Sequence, residues 1–284
     1  MNIQWYPGHM TKAKRQMTEN AKKVDGVLEV LDSRIPLSSR NPDFDEIFAH
    51  KKRLIVLNKS DLADQGLINV WIDYYKQKGI DTIELCATKK NDKQKLIQFI
   101  KKSLDERIQH NKNRGIKKDI KLMIVGIPNS GKSTVINLLA SQASAKTGNK
   151  PGVTRGQQII RVAKEIVLLD TPGVLWPKFE DERKAMNLAL TGAIKEQVLD
   201  IWELATYLVT KTPDRIKNLI KQRYSLDAMT GDAMADITEI AKKRGFLLKG
   251  GEYDIERAAQ MIITEFKNGV WGKIVLETPE EFDQ

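Results

Sequence analysis

One stretch constrains this chain more than any other. Lys121-Leu122-Met123-Ile124-Val125 is a largely apolar strand that runs into Gly126-Ile127-Pro128-Asn129-Ser130-Gly131-Lys132-Ser133-Thr134, and a helical pattern follows to Leu139. This is a phosphate-binding loop in its required context of strand, glycine loop and helix. The glycines let backbone amides curl around phosphate groups, and the helix N-terminus adds positive potential. Lys132 is placed to contact the β- and γ-phosphates of a nucleotide, and the Ser133 hydroxyl to bind Mg²⁺, with Ser130, Gly131 and Thr134 completing the cradle.

The loop alone does not choose between ATP and GTP. The apolar strand Leu54-Ile55-Val56-Leu57 ends abruptly in Asn58-Lys59-Ser60-Asp61. The Asp61 carboxylate can accept from both N1–H and the 2-amine of guanine. Adenine, with an acceptor at N1 and no 2-amine, would leave that carboxylate buried and unpaired. Asn58 can brace the loop and meet the base edge, while the Lys59 stem packs over the ring. After the next strand, Cys86-Ala87-Thr88 is placed to offer a backbone amide to the guanine O6. Asp170-Thr171-Pro172-Gly173 follows the strand Ile166–Leu169. There Asp170 can hold the second shell of Mg²⁺, through water, and the Gly173 amide can reach the γ-phosphate. Between these elements, Thr154 in Thr147–Arg155 is the first choice for the switch threonine that binds Mg²⁺, with Thr147 as the alternative.

Three residues leave readings open. The place after Gly173, where signalling GTPases carry a water-orienting glutamine, is Val174. His9 can supply the missing group as a near-neutral imidazole, or can be a turn histidine with a structural hydrogen bond. Asn129 can lend its carbonyl to a monovalent cation such as potassium beside the phosphates, or can satisfy a tight turn.

Around the loop, residues up to about 175 alternate short β-branched runs with helical segments, as in a parallel sheet with crossover helices. Strands are expected at Gly26–Asp32, Arg53–Asn58, Thr82–Ala87, Ile120–Gly126, Gln158–Ala163 and Glu165–Asp170. Helices are expected near Leu67–Lys78, Asp92–Asn111 and Lys132–Leu139, with an exposed connector at His110–Asp119. Beyond residue 180 helical patterns take over, near Glu196–Thr210, Pro213–Arg223, Asp232–Arg244 and Ile255–Asn268. The expected fold class is α/β: a P-loop GTPase domain with a mainly parallel sheet over residues 1–178, followed by a smaller all-helical domain over 179–284.

Charge is uneven. Residues 1–177 hold 31 basic and 18 acidic side chains, a net of +13, whereas 178–284 hold 16 and 19, a net of −3. The excess gathers at Lys12–Lys23, Lys51-Lys52-Arg53 and the run from Lys101 to Lys121. Such an excess favours a polyanionic partner through counterion release, or serves as a solubilising surface. The single cysteine, Cys86, excludes a disulfide within the chain and suits a reducing cytoplasm. No apolar run approaches eighteen residues, and Met1–Met10 lacks the pattern of a secretory signal.

The residues Trp5–Met10 and the order Asn58–Asp61, Gly126–Thr134, Pro151–Arg155, Asp170–Gly173 resemble the circularly permuted GTPases of the YlqF and YawG type. In ordinary GTPases the phosphate loop comes first; here it follows the base-reading motifs. The resemblance covers essentially the whole chain. It implies binding to a late precursor of the large ribosomal subunit, hydrolysis stimulated by that particle, and release afterwards. It also implies contact with ribosomal RNA and ribosomal proteins, RNA being touched by the C-terminal helical domain. His9 is implied as catalytic, and Asn129 goes with potassium dependence. Cys86 departs from the commoner serine, without consequence for a backbone contact. The net −3 of residues 178–284 restricts RNA contact there to clusters such as Lys211, Arg215, Lys217, Lys221 and Arg223, or Lys242-Lys243-Arg244. Two other readings are a GTPase acting on tRNA or the small subunit, and a membrane-surface or signalling switch that binds proteins. The apolar face of Lys12–Lys23 is too thin for stable membrane association.

Overall fold

The computed structural model describes residues 15, 17–140, 159–171, 181–194 and 200–282. Among the described residues six strands make one sheet: β1 (Gly26–Asp32), β2 (Lys52–Asn58), β3 (Asp81–Leu85), β4 (Ile120–Val125), β5 (Ile159–Ala163) and β6 (Ile166–Asp170), in the order β3–β2–β1–β4–β6–β5. All neighbours run parallel except β5 and β6, which form an antiparallel pair at one edge. All seven residues of β1 are buried, as expected of a central parallel strand covered on both faces.

Successive side chains of a strand point to opposite faces, and the two covers follow from that alternation. On one face, Leu28, Val30, Leu54, Val56, Leu122 and Ile124 pack beneath helices α3 (Asp92–Ser103) and α5 (Lys132–Leu139). On the other, Val27, Met123 and Val125 meet Phe44 of the short helix α1 (Asp43–Ile47), while Leu31, Ile55 and Leu57 meet Trp71 and Tyr75 of α2 (Gln65–Gln77). The chain lays down β1, β2 and β3 outward in one direction. It then returns through α3 and α4 (Asp105–Asn113) to place β4 on the other side of β1. The order reverses between β1 and β4, and in such sheets ligands bind outside the strand C-termini at that reversal.

Several expected boundaries shift for identifiable reasons. The strand expected to reach Ala87 ends at Leu85, because the Cys86 N–H turns to Asp92 (2.8 Å) and the Ala87 N–H to Asn58 (3.1 Å). The single helix expected over Asp92–Asn111 is two, bent at Leu104 (φ −109°), whose side chain is buried in the core. Consequently the expected connector starts inside α4, which runs to Asn113. Helices α1 and α6 (Glu182–Leu190) were not expected; α6 starts at the Asp181 cap, whose carboxylate accepts from Arg183 N–H. The expected division at residue 178 lies outside the described residues.

Helices α7 (Ile201–Thr210), α8 (Asp214–Tyr224), α9 (Ala233–Lys243) and α10 (Ile255–Lys267) share a core of Leu204, Leu208, Ile216, Ile240, Ile262 and Phe266. That core also takes in Ile35 from the loop after β1 and Ile127 from the phosphate loop. Past α10 the chain returns to the sheet as an extended strap. Ile274 N–H donates to Leu62 O (2.9 Å) and Leu276 N–H to Arg34 O (2.8 Å), while Trp71 Nε1–H donates to Glu277 O (3.0 Å). The Glu277 carboxylate is fully buried. It accepts the Leu37 and Ser38 N–H groups, the Ser38 hydroxyl and the Asn187 amide.

Burial raises the Glu277 carboxyl above its ordinary value, against the opposing pull of those donors. The folded state therefore holds this proton more tightly than the unfolded chain. Its share of stability falls as pH rises from the unfolded value through the higher folded one. Glu277→Gln should flatten that fall in urea titrations across the carboxylate range and just above it. Glu277→Ala, which orphans two backbone N–H groups at about 1–3 kcal/mol each, should cost about 2–6 kcal/mol by the same measurement.

Candidate functional site

The site is built on the C-terminal ends of β1, β2, β4 and β6. Beyond β4 the backbone turns sharply, with φ +60° at Asn129 and +90° at Gly131, before α5 begins at Lys132. Only glycine suits residue 131, because a Cβ there would lie 2.1 Å from Asn58 Nδ2. The close approach has a purpose. Asn58 is buried, donates from Nδ2 to Ser130 O (3.0 Å) and accepts the Ala87 N–H at Oδ1 (3.1 Å). One amide thus joins the base-reading turn, the phosphate loop and the loop after β3. Ser130 Oγ–H closes the phosphate loop on Ile127 O (3.0 Å).

Lys132 Nζ lies 2.5 Å from Asp170, so the expected phosphate ligand and the expected Mg²⁺ element converge. Thr171 Oγ1–H fastens the end of β6 to Ile124 O of β4 (2.7 Å). Ser133, exposed, and Thr134, half-buried, occupy the first turn of α5. Asp61 was expected as a buried carboxylate, but it lies exposed in the 3-10 turn Ser60–Leu62; a base seated on it would supply the burial. Within the loop after β3, the Cys86 and Ala87 amides expected to face a base are engaged inside the protein, which leaves Thr88 N–H as the amide on offer. Asn129 Nδ2–H donates to Gly192 O, at the turn after α6. His9, Thr147, Thr154, Gly173 and Val174 lie outside the described residues.

The sequence reading missed a cluster beneath the base-reading turn. Lys59, held in the left-handed region at φ +60°, reaches Asp32 at the end of β1 (2.8 Å). Asp32 also accepts the backbone N–H, Nε–H and Nη2–H of Arg34 at 2.9–3.0 Å. Burial would raise the Asp32 carboxyl, but the Arg34 and Lys59 charges outweigh it and hold the group down to about 2. Arg34 in turn donates from Nη1 to Lys267 O (3.2 Å) at the end of α10, with its guanidinium 5.8 Å over the Phe266 ring. The available signal was Asp32-Ser33-Arg34, opposite charges two residues apart at the end of a largely apolar strand that Glu29 interrupts.

A phosphate loop stitched through one buried asparagine to an Asn-Lys-Ser-Asp turn handles guanine nucleotides, and the fold and site together define a P-loop GTPase. A sequence profile described as "50S ribosome-binding GTPase" matches residues 121–237. Ribosome biogenesis GTPase A of Bacillus cereus is 45% identical over 285 residues, covering 100% of this chain and 96% of that protein. The Thermotoga maritima protein of the same name is 32% identical, covering 98% and 95%. The structure of GNP-bound YlqF from T. maritima superposes with a TM-score of 0.66 at 28% identity, over 95% of this chain and 99% of that one. This chain belongs to the ribosome biogenesis GTPase A family: it is a GTP hydrolase of ribosome assembly.

The Asp32 carboxylate contributes stability that is present above the ordinary carboxylate value and lost as pH falls toward 2. Asp32→Asn should abolish that acid dependence. It should cost about 3–5 kcal/mol in a denaturant titration at neutral pH by leaving Arg34 buried without its counter-charge. Freed from its anchor, Lys59 should also bind guanine nucleotide more weakly, read as a higher GDP dissociation constant.

Proposed function

We propose that this GTPase binds a late precursor of the large ribosomal subunit in its GTP form, hydrolyses GTP when that particle stimulates it, and then leaves. One contact carries the reading. Asn129 of the phosphate loop donates to Gly192 O, and Ile127 of the same loop lies within the helical core. Events at the γ-phosphate can therefore bias the helical half through direct contact. The profile description and the relatives' names support a ribosomal particle as partner, with ribosomal RNA and ribosomal proteins as the groups touched. Among the described residues no helix is long and apolar enough to cross a membrane. On this reading the protein works on precursors in the cytoplasm, as a GTPase domain to residue 178 and a helical domain beyond it.

Within the site, Lys132 meets the β- and γ-phosphates and the amides of residues 130–134 cradle them, with the Gly173 amide at the γ-phosphate. Asn58, Lys59, Ser60 and Asp61, with the loop at residues 86–88, read guanine. The hydroxyl of Ser133 and the carboxylate of Asp170, both within this cradle, are hard oxygen donors of the kind Mg²⁺ takes. Ser133 and Thr154 would hold the ion directly, Thr147 being the alternative to Thr154, and Asp170 through water. When bound, Mg²⁺ neutralises charge on the β- and γ-oxygens. With Nδ2 of Asn129 held by Gly192 O, its Oδ1 is left for potassium. The base-reading turn precedes the phosphate loop in the chain, a permuted order, so Asp170–Gly173 leads straight into the helical half. His9 supplies the water-positioning group that Val174 cannot.

The direct test is co-sedimentation with a non-hydrolysable GTP analogue, followed by identification of the bound RNA. Recovery of tRNA or small-subunit RNA in place of large-subunit RNA would overturn the reading. Asp61→Asn should shift preference from guanosine to xanthosine nucleotide, whose C2 oxygen needs a donor; competition binding would read it out. His9→Ala should bind GTP and the particle normally yet lose about 10²–10⁴ of the particle-stimulated rate. An equally stimulated His9→Ala enzyme would move the catalytic group to the particle.

A further inference from the structure

The pole of the sheet opposite the nucleotide site has its own chemistry. Asp25, Lys52 and Asp81, at the starts of β1, β2 and β3, line a cleft of about 660 Å³ with His50, Lys102 and Arg107. Two ion pairs, Lys52–Asp81 (2.7 Å) and Arg107–Asp25 (2.7 Å), neutralise part of its rim. Above it stand α3, α4 and the connector to β4. Residues 92–121 hold ten basic and four acidic side chains, a net of +6. Lys101, Lys102, Lys112, Arg114, Lys117 and Lys118 are all exposed, and the ion pairs of this face leave them out. Gly115, at φ +65°, turns the chain at the end of α4 into an exposed tip that carries Arg114, Ile116, Lys117 and Lys118.

We propose that this tip, the cations of α3 and α4 and the cleft at their foot form a docking surface for the RNA backbone. The inference rests on the reading of this chain as a factor that works on an RNA-rich particle. Unpaired cations massed on one face bind a polyanion by releasing its condensed counterions, and a recess beside them accommodates a protruding phosphate chain. A lipid surface fits less well. Helix α4 buries its one large apolar residue, Ile108, and presents only polar and charged side chains outward, so it has no apolar stripe to insert. β2 spans seven residues, so this surface lies roughly 20 Å from the guanine-reading turn. RNA can therefore sit there without entering the nucleotide site. The −3 balance of residues 178–284 makes a second, basic contact on the sheet domain the more needed.

The test replaces Lys102, Lys112, Lys117 and Lys118 by Gln and compares a control carrying Lys89→Gln, Lys90→Gln, Lys249→Gln and Lys273→Gln, also exposed but away from this face. Affinity for a labelled RNA hairpin is measured across potassium chloride concentrations. The first variant should weaken binding about 10²–10³-fold at 0.1 M salt and flatten the salt dependence by close to one slope unit for each phosphate no longer neutralised. The control should change it less than about threefold, and both should retain GTP-analogue affinity. Equal losses in the two variants, an unchanged slope, or a loss confined to anionic phosphatidylglycerol vesicles would each overturn the surface. Co-sedimentation of the unmodified protein with large-subunit precursors separates the two claims. Its failure would sink the proposed function, whereas normal co-sedimentation with unchanged hairpin binding by the first variant would sink only this surface.

Discussion

Three loops from three different strands meet at the C-terminal end of the sheet and have to keep one register. The group that holds them is the side-chain amide of Asn58. It is buried, satisfied on both sides by Ser130 O and the Ala87 N–H, and it explains why residue 131 has no room for a side chain. A buried amide has a fixed donor end and a fixed acceptor end, so it sets orientation as well as distance. Replacing it by an apolar group would leave a buried carbonyl and a buried N–H unpaired, each at about 1–3 kcal/mol. The rest of the site depends on this register: α5 starts where Gly131 lets it, and Lys132 reaches Asp170 because α5 starts there.

The second support comes from below and from far along the chain. Lys59 is fixed by Asp32, Asp32 by Arg34, and Arg34 by the end of α10 and by the strap that follows it. The base-reading turn is thereby tied to the helical half by hydrogen bonds, while the phosphate loop is tied to the same half by Asn129 and Ile127. Two nucleotide-facing loops thus share one helical neighbour. If nucleotide and a second ligand prefer different arrangements of that neighbour, linkage makes each change the other's affinity by the same factor.

Much of this was legible in the sequence. The strands of the sheet, the phosphate loop and the Asn58–Asp61 turn declare themselves because strong local rules govern them: apolar runs ending in glycine or in a polar tetrad. What escaped was set by distant partners. Asp32 and Arg34 look like ordinary surface charges after a strand until α10 covers them. Asp61 looks buried if a base is assumed above it, yet on its own it stands exposed. The Cys86 and Ala87 amides were assigned to a ligand because nothing local shows that Asp92 and Asn58 claim them first. Helix α6 went unread, since it spans only nine residues and its burial comes from packing against other parts of the chain.

The strap at Ile274–Glu277 also bears on how the protein is made. Glu277 holds the Ser38 amide across a separation of 239 residues. At a synthesis rate of about 5–20 residues per second, the strap emerges roughly 10–50 seconds after the loop it secures. Until then Arg34 O and the Leu37 and Ser38 amides lack their partners, and the floor beneath Lys59 is unfinished. A nascent chain can form its sheet in that interval, but it cannot present a settled guanine site.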